Sequence, residues 1–95
     1  MLRLYVIGLT VMLGAAAVAA DPLPPPRISL LIVDGMNNHD WPRATRILKE
    51  ILEGSGRFTV EVSTSPPADA PKAAWNQWRP DFAKYDVVLS NFNGG

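Results

Sequence analysis

An apolar run that stops abruptly at a polar cluster is the feature that most constrains how this chain folds. Residues 28–33 have the sequence ISLLIV, and residues 34–41, DGMNNHDW, follow directly. An apolar run broken only by Ser29 is typical of a strand covered on both faces, as at the centre of a parallel α/β sheet. Because open α/β sheets bind ligands beyond the carboxyl ends of their strands, we expect residues 34–41 to belong to any functional site.

The amino terminus has the composition of a secretory signal peptide. Arg3 precedes an apolar stretch over residues 4–13, and small residues ending in Val18 and Ala20 fit cleavage after Ala20. An uncleaved membrane anchor is the alternative, although the strongly apolar part is short for a span of about 20 residues. We therefore expect residues 1–20 to be a leader. The protein is then exported to the periplasm or the extracellular space, with no stable membrane span after the leader is removed.

Composition and charge exclude several classes of function. The 95 residues contain no cysteine, so they hold no disulfide, no thiolate metal site and no cysteine nucleophile. Of nine Lys and Arg residues, Arg3 lies in the predicted leader, which leaves eight basic residues against nine acidic ones. This balance, without any basic or acidic run, argues against nucleic acid and anionic membrane surfaces as partners.

A helix is predicted after the polar cluster. Apolar residues recur at helical spacing and form one stripe: Ala44, Ile47, Leu48, Ile51 and Leu52. Asp40 is suited to cap this helix by accepting from the backbone N–H of Arg43, and Pro42 fits the first turn. The helix is expected to end at Gly54 or Gly56.

Two further strands are predicted beyond the helix. Phe58, Val60 and Val62 alternate with polar residues, a pattern typical of an edge strand with one exposed face. Residues 86–91, DVVLSN, are apolar at their centre and resemble the first strand more than the second. The order β-α-β-x-β predicts a parallel sheet with right-handed crossovers.

The segment between the second and third strands is rich in Pro and Ala and carries four aromatic residues: Trp75, Trp78, Phe82 and Tyr85. We predict one short helical turn over residues 73–78, followed by a turn at Pro80. The rings are expected to cover the sheet face that the first helix leaves open. A sugar-stacking aromatic platform is the alternative.

His39 is the only histidine and is the candidate catalytic residue. An imidazole at a strand's carboxyl end is suited to general acid or base chemistry, to metal binding, or to a purely structural loop contact. Asp34 could orient His39 or accept from a sugar hydroxyl, but an Asp before Gly35 is also a common turn former. Only Asp34 and Asp40 are near enough in sequence to share a metal with His39, so no metal is predicted.

Four asparagines complete the predicted site. Asn37 and Asn38 both donate and accept hydrogen bonds, which suits vicinal hydroxyl groups, although Asn is equally common in turns. Asn91 and Asn93 end the third strand, so parallel neighbours would bring them opposite residues 34–39. No phosphate-binding loop motif occurs, and no cofactor is predicted.

Three segments of the chain together resemble a known family. LLIVDGMNNHDW, ILEGSGRFTVEV and YDVVLSNFNGG are similar in order and spacing to the amino-terminal portion of a ThuA-like (trehalose-utilisation) domain. The resemblance covers residues 27–95, with residues 21–26, DPLPPP, as a Pro-rich linker. It implies a flavodoxin-like three-layer α/β fold, related to class I glutamine amidotransferases, of which only the first three strands are present.

The resemblance also implies a function in carbohydrate metabolism or recognition, and the predicted leader would place that function outside the cytoplasm. A small sugar-type ligand would then be bound by Asp34, Asn37, Asn38, Asn91 and Asn93. Two alternatives stay open at this point: an amidotransferase-type hydrolase whose nucleophile lies beyond residue 95, and a noncatalytic binding module of a secreted multidomain protein. A signalling receiver domain would need paired acids after the first strand and an Asp in place of Asn91. Whether the protein is an enzyme is left open.

Overall fold

The structure is a computed structural model that describes residues 22–94 together with Arg3 and Gly8. The predicted leader over residues 1–20 otherwise lies outside the described residues, as does Gly95. Residues 22–27, which include most of the predicted linker, have no regular secondary structure. No helix in the described part of the chain is long and apolar enough to cross a membrane.

The fold is an open sheet of three parallel strands with helices in the connections. The elements in chain order are β1 (Ile28–Asp34), α1 (Trp41–Gly54), β2 (Phe58–Thr64), α2 (Lys72–Gln77), a 3₁₀ turn (Phe82–Lys84) and β3 (Val87–Asn91). The strand order is β2-β1-β3, and both pairings are parallel. The predicted parallel α/β architecture, part of a flavodoxin-like fold, is therefore confirmed, with β2 at an edge of the described sheet as its alternation indicated.

The core lies between the sheet and α1. Leu30, Ile32 and Val60 are buried together on one sheet face, and four partly buried residues pack against them: Leu48, Leu52, Phe58 and Leu89. Each fully buried side chain of this size contributes about 1.5–3 kcal/mol relative to an exposed one. Burial in β1 extends over both faces, since Leu31 and Val33 are also buried.

The start and end of α1 follow the sequence signals. The Asp40 carboxylate accepts from the Arg43 backbone N–H at 3.3 Å, and Pro42 lies in the first turn. The helix ends at Gly54, and Gly56 has a positive φ of 73° just beyond it. The predicted cap and limits of the helix are confirmed.

The buried face of α1 differs from the predicted stripe. Ile47 is exposed and Ile51 is 64% exposed, whereas Thr45 is only 8% exposed. The Thr45 hydroxyl donates to the buried Asp34 carboxylate at 2.7 Å, which places the line from Thr45 through Leu48 to Leu52 against the sheet. The apolar count therefore located the helix and part of its contact face, Leu48 and Leu52, but wrongly included Ile47 and Ile51.

The aromatic segment covers the opposite face of the sheet. The Trp78 indole N–H donates to Ser63 Oγ at 3.0 Å, and the Tyr85 hydroxyl donates to Glu61. Side chains alternate along a strand, so Ser63 and Glu61 point away from the face that α1 covers. The predicted cover holds for Trp78 and Tyr85, and α2 is the predicted short helix. Phe82 differs, because its ring is exposed.

β3 is more exposed than its sequence suggested. Val87 and Val88 are both exposed, although the apolar centre of this segment resembles β1. The physical reason is position, because β3 pairs with β1 on one side and forms the second edge of the described sheet.

Candidate functional site

The carboxyl ends of the three strands bring polar side chains to one place. Asp34, at the end of β1, is in register with Thr64 of β2 and Asn91 of β3. Residues in register on neighbouring parallel strands point to the same side of the sheet, which here is the side of α1. The sheet itself therefore assembles the centre of the candidate site.

Asp34 lies beneath the site. The residue is 2% exposed, and its two carboxylate oxygens accept from the hydroxyls of Thr45 at 2.7 Å and Thr64 at 2.6 Å. Hydrogen bonds to a buried carboxylate are among the stronger ones in proteins, at about 1.5–3 kcal/mol each. Asp34 thus joins β1 to α1 and β2, and both of its oxygens are engaged by threonine hydroxyls.

Asn91 and Asn37 continue the network from Asp34 toward the surface. Asn91 Nδ2 donates to Thr45 Oγ1 at 3.0 Å and to the Trp41 carbonyl at 3.2 Å. Asn37 Nδ2 lies 3.3 Å from both the side-chain and the backbone oxygen of Asn91. Asn37 Oδ1 accepts from the backbone N–H of His39 at 3.0 Å. Hydrogen bonds therefore connect the loop that follows β1 with α1 and β3.

A second set of contacts joins the loops that follow β1 and β3. Asn93 Nδ2 donates to Asn38 Oδ1 at 2.9 Å. The backbone N–H groups of Asn93 and Gly94 both approach the Met36 carbonyl, at 3.2 and 3.4 Å. The two loops that carry most of the predicted site residues thus form one surface.

Gly35 permits the tight turn out of β1. Its φ is +120°, and a Cβ at this position would lie 2.0 Å from Ser65 Oγ. Ser65 Oγ accepts from the Met36 N–H at 2.9 Å and donates to the Pro66 carbonyl at 3.0 Å. Only glycine fits this combination of backbone conformation and close approach.

Two cavities of about 450 and 380 Å³ open on this surface and share Met36, Asn37 and Ala68 in their walls. Trp41 also lines the first cavity, and three side-chain amides occur across the two walls: Asn37, Asn38 and Asn93. Among the described residues, none that lines either cavity is an Asp, Glu, Lys, Arg or His. The surface is uncharged and mainly apolar, with a few side-chain amides set into it.

His39 stands outside the cavity walls. It is exposed, and its backbone N–H and carbonyl are bonded to Asn37 and to the N–H of Trp41. Within the described part of the chain, its imidazole has no hydrogen-bond partner. No group of three His, Cys, Asp or Glu side chains in the described residues is placed to hold a metal ion.

The structure adds three residues that the sequence did not indicate: Thr45, Thr64 and Ser65. Thr45 precedes Leu48 and Leu52 by three and seven positions, so the helical period contained a signal for a buried hydroxyl on the core face. Thr64 ends the alternating strand in register with Asp34. Ser65 carries no recognisable signal beyond its place before two prolines.

These features define the class of protein: an α/β protein with a flavodoxin-like parallel sheet and a polar site at its carboxyl end. No profile of a known protein family and no curated protein matches the chain. Among solved structures, the chain is similar to a protein from Parabacteroides merdae described as ThuA-like, at 36% sequence identity and a TM-score of 0.66. The match covers 74% of this chain and 24% of that protein.

The chain is ThuA-like, as its three sequence segments predicted from their similarity to the amino-terminal portion of such a domain. It spans about a quarter of the length of the Parabacteroides merdae protein, at 24%.

Proposed function

We propose that this protein is exported and binds an uncharged carbohydrate at the carboxyl end of its sheet, either to recognise it or to process it. The observation that carries the proposal is the chemistry of the two adjoining cavities, which combine side-chain amides with apolar surface and no charged group. Ligand sites are commonly apolar clefts of about 300–1,000 Å³ with a few placed polar groups, and both cavities fall in that range.

The amides favour a hydroxylated ligand. The Asn37 amide is bonded to protein groups through both its nitrogen and its oxygen, whereas the exposed Asn38 keeps its Nδ2 for donation to a sugar oxygen. Trp41 adds a flat ring in the wall of the larger cavity, against which the apolar face of a sugar ring could pack.

The absence of charge from the walls favours a neutral sugar over a phosphorylated one. A phosphate or carboxylate group is usually met by Arg, Lys or a cluster of backbone N–H groups, because an ionised group loses much hydration on binding. The described lining residues offer no such cation.

His39 is the residue proposed for chemistry, if the protein is an enzyme. Its exposed imidazole, without a hydrogen-bond partner in the described residues, is available to a ligand held at the neighbouring Asn38. Export is supported by the leader-like composition of residues 1–20.

Calorimetric titration of the full-length protein tests this proposal. Neutral mono- and disaccharides, with glucose and trehalose as the first probes, should include a saturable ligand, and its phosphorylated counterpart should bind at least about tenfold more weakly. Asn38→Ala and His39→Ala should each weaken binding about tenfold, equal to the loss of roughly 1.4 kcal/mol. Both side chains are exposed, so the melting temperature should stay unchanged.

Glu50→Ala is the matched control, since Glu50 is equally exposed but lies in α1 away from the cavity walls. This variant should bind like the wild type. Equal affinity for neutral and phosphorylated sugars, or unchanged affinity in both site variants, would contradict the proposal.

A further inference from the structure

We infer that a series of hydrogen bonds from the buried Asp34 to the exposed His39 runs in one direction, set at Thr45, and positions the loop that carries Asn38 and His39. We call the series Asp34, Thr45, Asn91, Asn37 and the His39 N–H the hydrogen-bond relay. The part of this inference that concerns ligand contacts rests on the proposed function. The relay itself needs no ligand.

The direction is set at the buried end. Both carboxylate oxygens of Asp34 accept from hydroxyl groups, so the single hydroxyl hydrogen of Thr45 is committed to Asp34, 2.7 Å away. Thr45 Oγ1 can then only accept from its other neighbour, and Asn91 must turn its Nδ2 toward it. The Trp41 carbonyl, which also only accepts, lies 3.2 Å from the same nitrogen and requires the same orientation.

The direction then passes outward through the two amides. With Nδ2 of Asn91 facing inward, its Oδ1 faces Asn37, which must present Nδ2 in return. The backbone carbonyl of Asn91 lies at the same 3.3 Å and also requires a donor from Asn37. Asn37 Oδ1 is left to accept from the His39 N–H. Every orientation is therefore fixed by a neighbour that can only accept or only donate.

The relay divides the predicted site into two groups with different roles. Asn91 and Asn37 have both their amide nitrogen and their amide oxygen engaged by protein groups, so they are positioning residues. Asn38 uses only its Oδ1, and within the described residues its Nδ2 has no partner. The ligand is therefore contacted by Asn38 and His39, and it presents an acceptor oxygen to the Asn38 amide nitrogen.

Thr45 offers a matched pair of variants because its two roles depend on one hydroxyl. Thr45→Val has nearly the same shape but neither donates to Asp34 nor accepts from Asn91, so it breaks the relay at its first link. Thr45→Ser keeps the hydroxyl and loses only a methyl group. Thr45 itself is buried. If the two variants differ in hydrogen exchange in the loop that carries Asn38 and His39, that difference therefore shows that the relay connects Thr45 to the loop.

Hydrogen exchange of the ligand-free, full-length protein, followed by NMR, tests the inference. In Thr45→Val the His39 backbone N–H should exchange about tenfold faster relative to the Ile32 N–H, which lies in the central strand and reports global opening. Thr45→Ser should keep the wild-type ratio. Equal acceleration of both amides in Thr45→Val, or no change at His39, would overturn the relay.

Asn37→Ala provides a second test outside the core, in case Thr45→Val does not fold. It removes the last link and should release the His39 N–H by a similar factor, and an unchanged ratio would again contradict the relay. Hydrogen exchange and sugar titration together distinguish the relay from the proposed sugar-binding function. If the exchange ratios change as expected but no neutral sugar binds, the proposed function fails and the relay stands. If sugar binds while the ratios stay constant, the relay fails.

Discussion

At each end of β1, hydrogen bonds to a carboxylate link the strand to one end of β3, namely Asp86 just before β3 and Asn91 at its last position, but in different surroundings. At the amino end, Ser29 donates through its backbone N–H at 2.9 Å and its hydroxyl at 3.0 Å to Asp86 Oδ2, and Asp86 is exposed. At the carboxyl end, Asp34 is 2% exposed and reaches Asn91 through Thr45. Water competes for the first set of bonds and is excluded from the second. Because of burial, rather than the number of bonds, we expect the hydrogen bonds at the carboxyl end to contribute more to stability.

The largest expected effect is at Gly35. Gly35→Ala combines an unfavourable positive φ with a Cβ only 2.8 Å from the Ser65 backbone nitrogen, as well as 2.0 Å from its Oγ. Strain of about 1–3 kcal/mol and a similar cost for forced repacking add to about 4 kcal/mol. Chemical denaturation of the full-length protein measures this loss of unfolding free energy.

Gly54→Ala is the control for that experiment. Nothing lies within 4 Å of a Cβ at Gly54, and this glycine has no positive φ. Alanine should therefore be neutral or slightly stabilising there, because it restricts the unfolded chain. Equal destabilisation by the two substitutions would show that the close approach at Gly35 is unimportant.

The second effect compares the two aspartates directly. Asp34→Ala removes the carboxylate that accepts hydrogen bonds from the hydroxyls of Thr45 and Thr64 beneath the site. We expect a loss of about 2 kcal/mol in unfolding free energy, because the buried Thr45 hydroxyl loses its acceptor, whereas the exposed Thr64 hydroxyl can turn to water. Asp86→Ala, at the solvated end, should cost less. A larger loss at Asp86 than at Asp34 would reverse the comparison.

Those features of the fold that depend on local pattern were predictable from sequence. The apolar run over residues 28–33 predicted the central strand, and the alternating residues predicted β2. The Asp40 cap and Gly54 predicted where α1 begins and ends. The contact face of α1 was only partly predictable from the apolar count, because Leu48 and Leu52 pack inward as expected while Ile51 is exposed and Thr45 is buried. Which side of a helix meets the sheet is decided by tertiary contacts, here the bond from Thr45 to Asp34.

The candidate site was predictable in its location but not in its internal roles. Parallel strands bring Asn91 close to Asp34 in any such sheet, so their proximity followed from strand order. Which amides are engaged by the protein depends on distances of a few tenths of an ångström and on partners far apart in sequence, such as Asn37 and Asn91. No local pattern in the sequence contains that information.

The smallest expected effect concerns the exposed end of β1 and depends on pH. The backbone N–H of Ser29, and then its hydroxyl, lower the pKa of Asp86 below its ordinary value of 3.8 by donating to the charged form. The folded state thus has the lower pKa, so this carboxylate contributes stability above about pH 3.8 and loses it as pH falls through the folded pKa.

Denaturation as a function of pH should therefore show Asp86→Ala less stable than the wild type near neutrality, with the two curves converging in acid. Asp69→Ala is the control, since Asp69 is also exposed and lies in the loop between β2 and α2. Near neutrality, Asp69→Ala should be about as stable as the wild type. If the Asp86→Ala curve instead ran parallel to that of the wild type into acid, the bonds from Ser29 would not favour the charged carboxylate, and the amino end would be held by the backbone alone.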